Sequence, residues 1–167
     1  MKSQIHRKLI SIIVVSLNTK KDFLKTIKSI QKQVYKDYEV IVVDGKSTDG
    51  TVEEIKKLKD KKIKYIIQKD NGIYDAMNKG IKISLGKWII FMNSGDLFYK
   101  NNVLNNFLSE NVKNYDIVYG DTVVSTKNLK YIVNSKPFDH KTFLMPFCHQ
   151  SVFVKSNILK KRNFSLI

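Results

Sequence analysis

The stretch Val40–Glu54 reads "VIVVDGKSTDGTVEE". An apolar run leads into Asp44, and Gly45-Lys46-Ser47-Thr48 follows at once. Gly-Lys-Ser/Thr closes a phosphate-binding P-loop, but that motif carries another glycine five residues earlier. Val40 stands at that position, inside the apolar run, so no glycine loop can form there. What remains is a strand, a carboxylate, a turn and a helix start. Thr51 and Glu54 stand in capping-box spacing, with Val52, Ile55 and Leu58 behind them. A carboxylate at the C-terminal end of a parallel strand lies where open α/β sheets bind ligands. Asp44 is therefore the first candidate site residue.

Working outward, Leu9–Leu17 is a nearly continuous apolar run, the pattern of a strand covered on both faces. Phe23, Ile27, Ile30 and Val34 form a helical stripe. Tyr38–Val43, Ile63–Ile67 and Trp88–Met92 read as strands, and Val52–Leu58 and Ile73–Ser84 as helices. This alternation predicts right-handed βαβ units in a mainly parallel sheet with helices on both faces. Gly80 falls inside a predicted helix, where glycine costs roughly 1 kcal/mol against alanine; close packing on the sheet would account for it. After Asp96 the alternation stops. Val103–Leu108 reads as a short helix and Tyr115–Gly120 as a strand. Thr122–Val124 and Leu129–Val133 read as a hairpin, Pro137–Pro146 as a loop with room for one helical turn, and Ser151–Val154 as a last strand.

The chain has 167 residues with 43% hydrophobic and 27% charged content, which is one globular domain by size and composition. The run Leu9–Leu17 is too short to span a bilayer, and Asn18-Thr19-Lys20-Lys21 after it is no signal-peptidase site. A cytoplasmic location, extending to the inner face of the membrane, is the expectation. The single cysteine, Cys148, excludes an intramolecular disulfide and any cysteine-only metal site. The net charge of +15 is carried almost wholly by lysine, since only Arg7 and Arg162 are arginines. Lysine-rich solvated helix faces, an anionic substrate such as a nucleotide diphosphate, and an anionic membrane surface all fit this charge. Nucleic-acid reading fits poorly, because bidentate base contacts lean on arginine.

Polar residues close each strand of the first hundred residues: Ser16 to Asn18, Asp44, Gln68 to Asn71, and Asn93 to Asp96. In a parallel sheet these ends share one edge. A carboxylate there can accept from a nucleotide base, and Asp96 is placed to hold Mg²⁺ or Mn²⁺, which favour oxygen ligands.

The order of these motifs resembles the family 2 glycosyltransferases, inverting enzymes of the GT-A fold. "SIIVVSLN" (Ser11 to Asn18) is similar to their first strand, and "VIVVDGKSTDGT" to their nucleotide-reading strand and turn. "NGIYDAMNKGI" (Asn71 to Ile81) resembles a helix usually written Gly-x-x-x-Ala-Arg-Asn-x-Gly, and "GKWIIFMNSGD" (Gly86 to Asp96) the strand leading to a metal-binding Asp-x-Asp. The resemblance implies a nucleotide-diphospho-sugar donor, with a UDP-sugar as the candidate, and a glycan or lipid-linked acceptor in surface polysaccharide synthesis. It implies donor-site roles for Ser16, Asn18, Asp44, Asp75 and Asp96, with Asp49 close by, and a divalent cation on Asp96. "CHQSVFVKS" (Cys148 to Ser156) resembles the acceptor-side segment, which brings in His149 and Gln150. By this resemblance residues 8–100 form the nucleotide-sugar part of one domain, and 101–167 a partial acceptor part.

Two departures stand out. Met77 occupies the usual arginine position, leaving Lys69 or Lys79 as substitute cations, and the Asp-x-Asp has become Asn93-Ser94-Gly95-Asp96. "GIYDAMNKG" with an Asn-x-Gly-Asp ending resembles an exopolysaccharide and capsule subgroup. The family's general base follows the His-Gln segment at a distance that would put it beyond Ile167, the last residue here. The expectation is therefore a C-terminally truncated enzyme whose base is not in this chain. Asp121 and His149 are the fallback bases, and Asp139 is a further late carboxylate. A nucleotide-sugar-binding module without turnover is the alternative function. A nicotinamide oxidoreductase is disfavoured by the missing Gly-x-Gly-x-x-Gly after the first strand.

Overall fold

The computed structural model describes residues 9–137 and 147–162. The loop expected over Pro137–Pro146, with Asp139, lies outside them apart from its first residue, and so does Ile167. Strands β1 (Ile10–Ser16), β2 (Tyr38–Asp44), β3 (Ile63–Ile67) and β4 (Trp88–Asn93) alternate with helices α1 (Lys20–Gln31), α2 (Thr51–Lys57) and α3 (Ile73–Ile83). Then follow α4 (Val103–Ser109), β5 (Ile117–Tyr119), β6 (Thr122–Ser125), β7 (Lys130–Val133), β8 (Val152–Lys155) and α5 (Ser156–Arg162). The main sheet runs β3-β2-β1-β4-β8-β5. Its first four strands are parallel, as the alternation predicts.

β1 is the centre. Ser16 stands opposite Asp44 on one side, and Val15 opposite Asn93 on the other, so the C-terminal ends share an edge. Successive β1 side chains feed two cores. Ile10, Ile12 and Val14 join Phe23, Ile27, Ile55 and Leu104 on one face, while Ile13 and Val15 join Ala76, Met77 and Ile81 of α3 on the other. That two-sided burial is why β1 and β2 read as unbroken apolar runs. Trp88 meets Phe107 edge to face at 5.2 Å, and Phe107 stacks on Phe153 at 3.9 Å, which fastens α4 and β8 to the sheet.

The opposite edge is tied by a buried acid. Glu39 accepts from Ser11 Oγ and from the Leu85 and Gly86 amides, and pairs with Lys64 at 3.0 Å. Burial pushes its pKa up, but these donors outweigh burial and hold it below the usual carboxylate range. This cluster anchors the turn between α3 and β4. Gly86 belongs there because a Cβ would stand 2.5 Å from the Ser11 amide nitrogen.

The structure corrects several readings. β8 enters the main sheet antiparallel to both β4 and β5, in a position that pattern alone does not show. Helix α5 has no counterpart among the expected elements. The capping box does not form: Gly50, at φ +90°, is the N-cap of α2, and Glu54 turns instead to Lys20 and Lys57. Asp49 does the capping, accepting from the amide and hydroxyl of Thr51. The hairpin forms as β6–β7, closed by the Thr126 amide on the Leu129 carbonyl. No helix among the described residues is long and apolar enough to cross a membrane.

Gly80 has the packing reason its position calls for. A Cβ there would lie 2.5 Å from Cγ2 of buried Ile13. Gly80→Ala should therefore destabilise the protein although alanine is the better helix former. The expected loss in urea melts is about 1–2 kcal/mol, overpacking set against the helix gain. Ile13→Ala vacates the space, so the double mutant should show favourable coupling.

Candidate donor and cation site

Two loops at the C-terminal edge lock into each other. Asp44, fully buried, accepts from the Ser47 amide and from Ser47 Oγ, both at 2.7 Å. Ser47 Oγ in turn accepts from the Asn18 amide at 2.7 Å. Asn18 Oδ1 accepts from the Thr48 amide, and Asp49 accepts from the Lys20 amide. Asn18 and Lys46 hold positive φ, 52° and 67°, a conformation that costs a non-glycine residue energy and that these hydrogen bonds offset. The Gly-Lys-Ser-Thr stretch is thus a clasp between the loop after β1 and the loop after β2. The donors on Asp49, first among them the Thr51 hydroxyl, hold its pKa below the usual range.

Beside this clasp opens a cleft of about 240 Å³, lined by the ends of β1 and β4 and the start of α3. Ser16, Leu17, Thr19, Asp70, Ile73 and Asn93 reach it. Of the five donor-site candidates, Ser16 alone lines the cleft. Asn18 and Asp44 build the clasp behind it. Asp75 accepts from the Asn71 amide and pairs with Lys79 at 3.1 Å; those contacts, the amide first, lower its pKa. Lys79 also donates to the Lys69 carbonyl, so that substitute cation is engaged. Met77 is buried under α3 and presents nothing to the cleft.

Asp70 is the residue that sequence reasoning undervalues, because it shows there only as one member of the polar cluster after the third strand. Its Oδ1 accepts from the Gly72 amide, and its Oδ2 lies 2.8 Å from where a Cβ on Gly45 would stand. The glycine at 45 is what lets a carboxylate approach there.

Asp96 closes a tight turn after β4. Its carboxylate accepts from the Asn93 amide at 2.7 Å, and its own amide donates back to the Asn93 carbonyl. Burial raises the Asp96 pKa against the opposing Asn93 hydrogen bond and the field of His149. His149, in a 3-10 turn before β8, therefore lies within electrostatic reach of Asp96. Asn93 Oδ1 is buried and finds no hydrogen-bond partner among the described residues. An unpartnered amide oxygen beside a carboxylate that burial penalises is a donor set suited to a hard cation. No group of three or more His, Cys, Asp or Glu among the described residues could hold an ion by itself.

The fallback bases lie on neighbouring segments. His149 stands near Asp96, with Gln150 in the same 3-10 turn. Asp121 sits at the foot of the hairpin, where it accepts from the amide and hydroxyl of Ser135, and its neighbour Gly120 bonds Ser151 of the His149 turn. The expectation of a base beyond Ile167 falls outside the described residues, which end at Arg162.

The comparisons with known proteins identify the family and the fold. The profile of glycosyl transferase family 2 matches residues 11–164, and the chain belongs to that family. It is 31% identical over 157 residues to a PGL/p-HBAD biosynthesis glycosyltransferase of Mycobacterium bovis, covering 90% of this chain and 60% of the relative. An uncharacterized glycosyltransferase of Rickettsia conorii is 40% identical over 96 residues, which is 56% of this chain and 16% of that one. The chain thus spans about 60% of the length of the curated mycobacterial relatives. Among solved structures, S. aureus TarS 1-349 superposes with a TM-score of 0.73 at 20% identity, covering 94% of this chain and 50% of that chain. The mannosyltransferase PcManGT of Pyrobaculum calidifontis, in complex with GDP-Man and Mn2+, gives 0.71 at 18%, covering 96% and 48%. Both likenesses are of fold, and the fold they share is that of GT-A glycosyltransferases.

Asp96 should behave as a residue that costs stability at neutral pH. A raised folded pKa means that its favourable contribution is full in acid and is lost as pH rises through the folded value. Asp96→Asn should then melt higher than the wild type at pH 7 without added metal. The difference should vanish as pH falls and the wild-type carboxyl protonates. Thermal melts across that range are the check, and a gap that widens in acid would contradict the assignment.

Proposed function

We propose that this chain is the donor-binding portion of an inverting glycosyltransferase that takes a sugar from a nucleotide-diphospho-sugar and passes it to a glycan or lipid-linked acceptor in surface polysaccharide synthesis. The observation that carries the reading is the cleft where β1, β4 and α3 meet, in a chain that belongs to a glycosyltransferase family. The mycobacterial relatives, named for PGL/p-HBAD biosynthesis, support a surface-glycan role. TarS has been solved with UDP and with UDP-GlcNAc, which supports a uridine-linked donor.

In this reading Asp70 and Ser16 meet the polar groups of the nucleoside. The first amides of α3 itself, past Asn71 and Gly72 whose amides Asp75 and Asp70 take, would meet the diphosphate, as helix N-termini favour anions. Asp44 and Asn18 act as positioning residues, because they hold the loop that follows Ser16. Asp75 fixes the Asn71 amide and Lys79 rather than the ligand. Asp96 and Asn93 Oδ1 would hold Mn²⁺ or Mg²⁺, which supplies charge to the leaving diphosphate when bound. Inversion requires a base to take the acceptor hydroxyl proton as oxygen attacks the anomeric carbon. Within the chain His149 and Asp121 are the side chains to test for that role.

Calorimetry with UDP and GDP sugars, with and without Mn²⁺, tests the donor site. Asp70→Asn should weaken binding about 10-fold to 100-fold, the range for a hydrogen bond to a charged group. Mn²⁺ should tighten nucleotide binding to the wild type but not to Asp96→Asn. Equal affinity for all variants would remove the donor assignment. Turnover that survives both His149→Ala and Asp121→Asn would place the base elsewhere.

A further inference from the structure

The charges of this chain are unevenly placed. Segments 23–36, 97–109 and 122–136 hold eight lysines and none of the 15 Asp and Glu residues, with Asp22, Asp37, Asp96, Glu110 and Asp121 standing just outside their ends. The fold brings these three segments together. The stretch after β4 runs down the side of α1, with Gly95 donating to Thr26 Oγ1, Phe98 to Ser29 Oγ, and Val34 to the Asn101 carbonyl. The hairpin joins them at Tyr99, whose ring lies 5.8 Å from Lys100 Nζ and 5.7 Å from Lys130 Nζ. Lys25, at the start of the first segment, pairs with Asp22 just outside it.

Apolar side chains are exposed along the same three segments. Val34 is 63% exposed, Tyr99 62%, Ile132 59% and Leu129 57%, with Leu97 and Tyr131 beside them in sequence. An isolated two-stranded hairpin is marginal in water, and this one shows apolar groups on both faces of β7. Something of opposite charge and apolar depth suits the face. A second copy does not, because lysines would meet lysines across a two-fold axis. Tyrosine flanked by lysine beside exposed Leu, Ile and Val is the composition that settles at the headgroup level of an anionic bilayer.

We propose that this face docks the protein on an anionic phospholipid surface. Docking deepens the lipid-linked form of the acceptor proposed above and rests on it only for its purpose. The patch begins next to the cleft, since Ser94 lines the cleft and Leu97 and Tyr99 follow it closely. A bilayer under this face would bring a membrane-held acceptor towards the donor site.

The test is co-sedimentation of the full chain with phosphatidylcholine vesicles, with and without phosphatidylglycerol, followed over a salt series. The wild type should bind only the anionic vesicles and release at high salt. The double substitution Lys100→Glu with Lys130→Glu should lower the partition coefficient at least about tenfold, given the attraction of each lysine to an anionic leaflet. Lys56→Glu with Lys59→Glu on the α2 side makes the same change in net charge and should stay within about twofold of the wild type. Leu129→Ser with Ile132→Ser should weaken binding while leaving its salt dependence. Melting curves confirm that each variant folds. Equal losses from both charge reversals would reduce the effect to net charge and overturn the proposal. So would a lack of binding to either vesicle, or a self-association that the patch substitutions abolish. None of these readouts involves sugar transfer, so docking can fail while the transferase reading stands, and the reverse.

Discussion

The C-terminal edge of this sheet depends on one buried carboxylate. Asp44 has no exposed surface, and its two oxygens take the amide and the hydroxyl of Ser47. That hydroxyl then receives the Asn18 amide, so a single side chain ties the turn after β2 to the loop after β1. An unpaired carboxylate at this depth would be costly, so turn and acid stabilise each other. Leu17 and Thr19, which line the cleft just past β1, sit in the loop that this chain of bonds holds. A Gly-Lys-Ser-Thr that looks like a phosphate cradle is instead the lock that sets where the cradle begins.

The other edge is tied by the same means. Glu39 collects Ser11, Leu85, Gly86 and Lys64, and so fixes where β4 enters the sheet. Between these ties lies a layer whose alternate side chains fill two apolar cores. Burial of this kind sets register strongly, because a slip of one residue would swap the two faces of β1. The register itself then delivers Ser16, Asp44 and Asn93 to one edge. Packing places the site, and the polar ties refine it.

The parts of this fold legible in the sequence are those with a strong period. β1 to β4 and α1 to α3 each carry a long apolar signal, and each stands close to its expected bounds. α5 is invisible because Ser156–Arg162 is short and has no buried residue to mark a stripe. The direction of β8 is invisible for another reason. Four residues of strand look alike in either sense, and only the partners on β4 and β5 decide it. In the candidate site, sequence locates the strand-end clusters but not the orientation of their side chains. Asp44 and Asp70 both stand at strand ends and both read as carboxylates at the ligand edge. The contact that separates them, Ser47 folding back on Asp44, is a turn geometry with no spacing signature.

The region around Asn93 and Asp96 is where the stability of the fold and its chemistry diverge. At Asp44 and Glu39 the structure satisfies buried carboxylates closely. Here it leaves Asn93 Oδ1 without a partner among the described residues and buries a carboxylate whose proton affinity rises as a result. Either feature alone could be a packing accident. Both belong to one turn fixed by reciprocal Asn93–Asp96 hydrogen bonds, and under the proposed reading a cation completing that turn would be their shared cause. A site that binds a hard ion must hold oxygens that the protein itself does not satisfy, and that deficit is a standing cost until the ion arrives. The cost is tolerable because Ser94 and Gly95 are pinned from outside the turn, to the Val15 carbonyl and to Thr26 Oγ1. The sheet and α1 thus hold the turn from both sides.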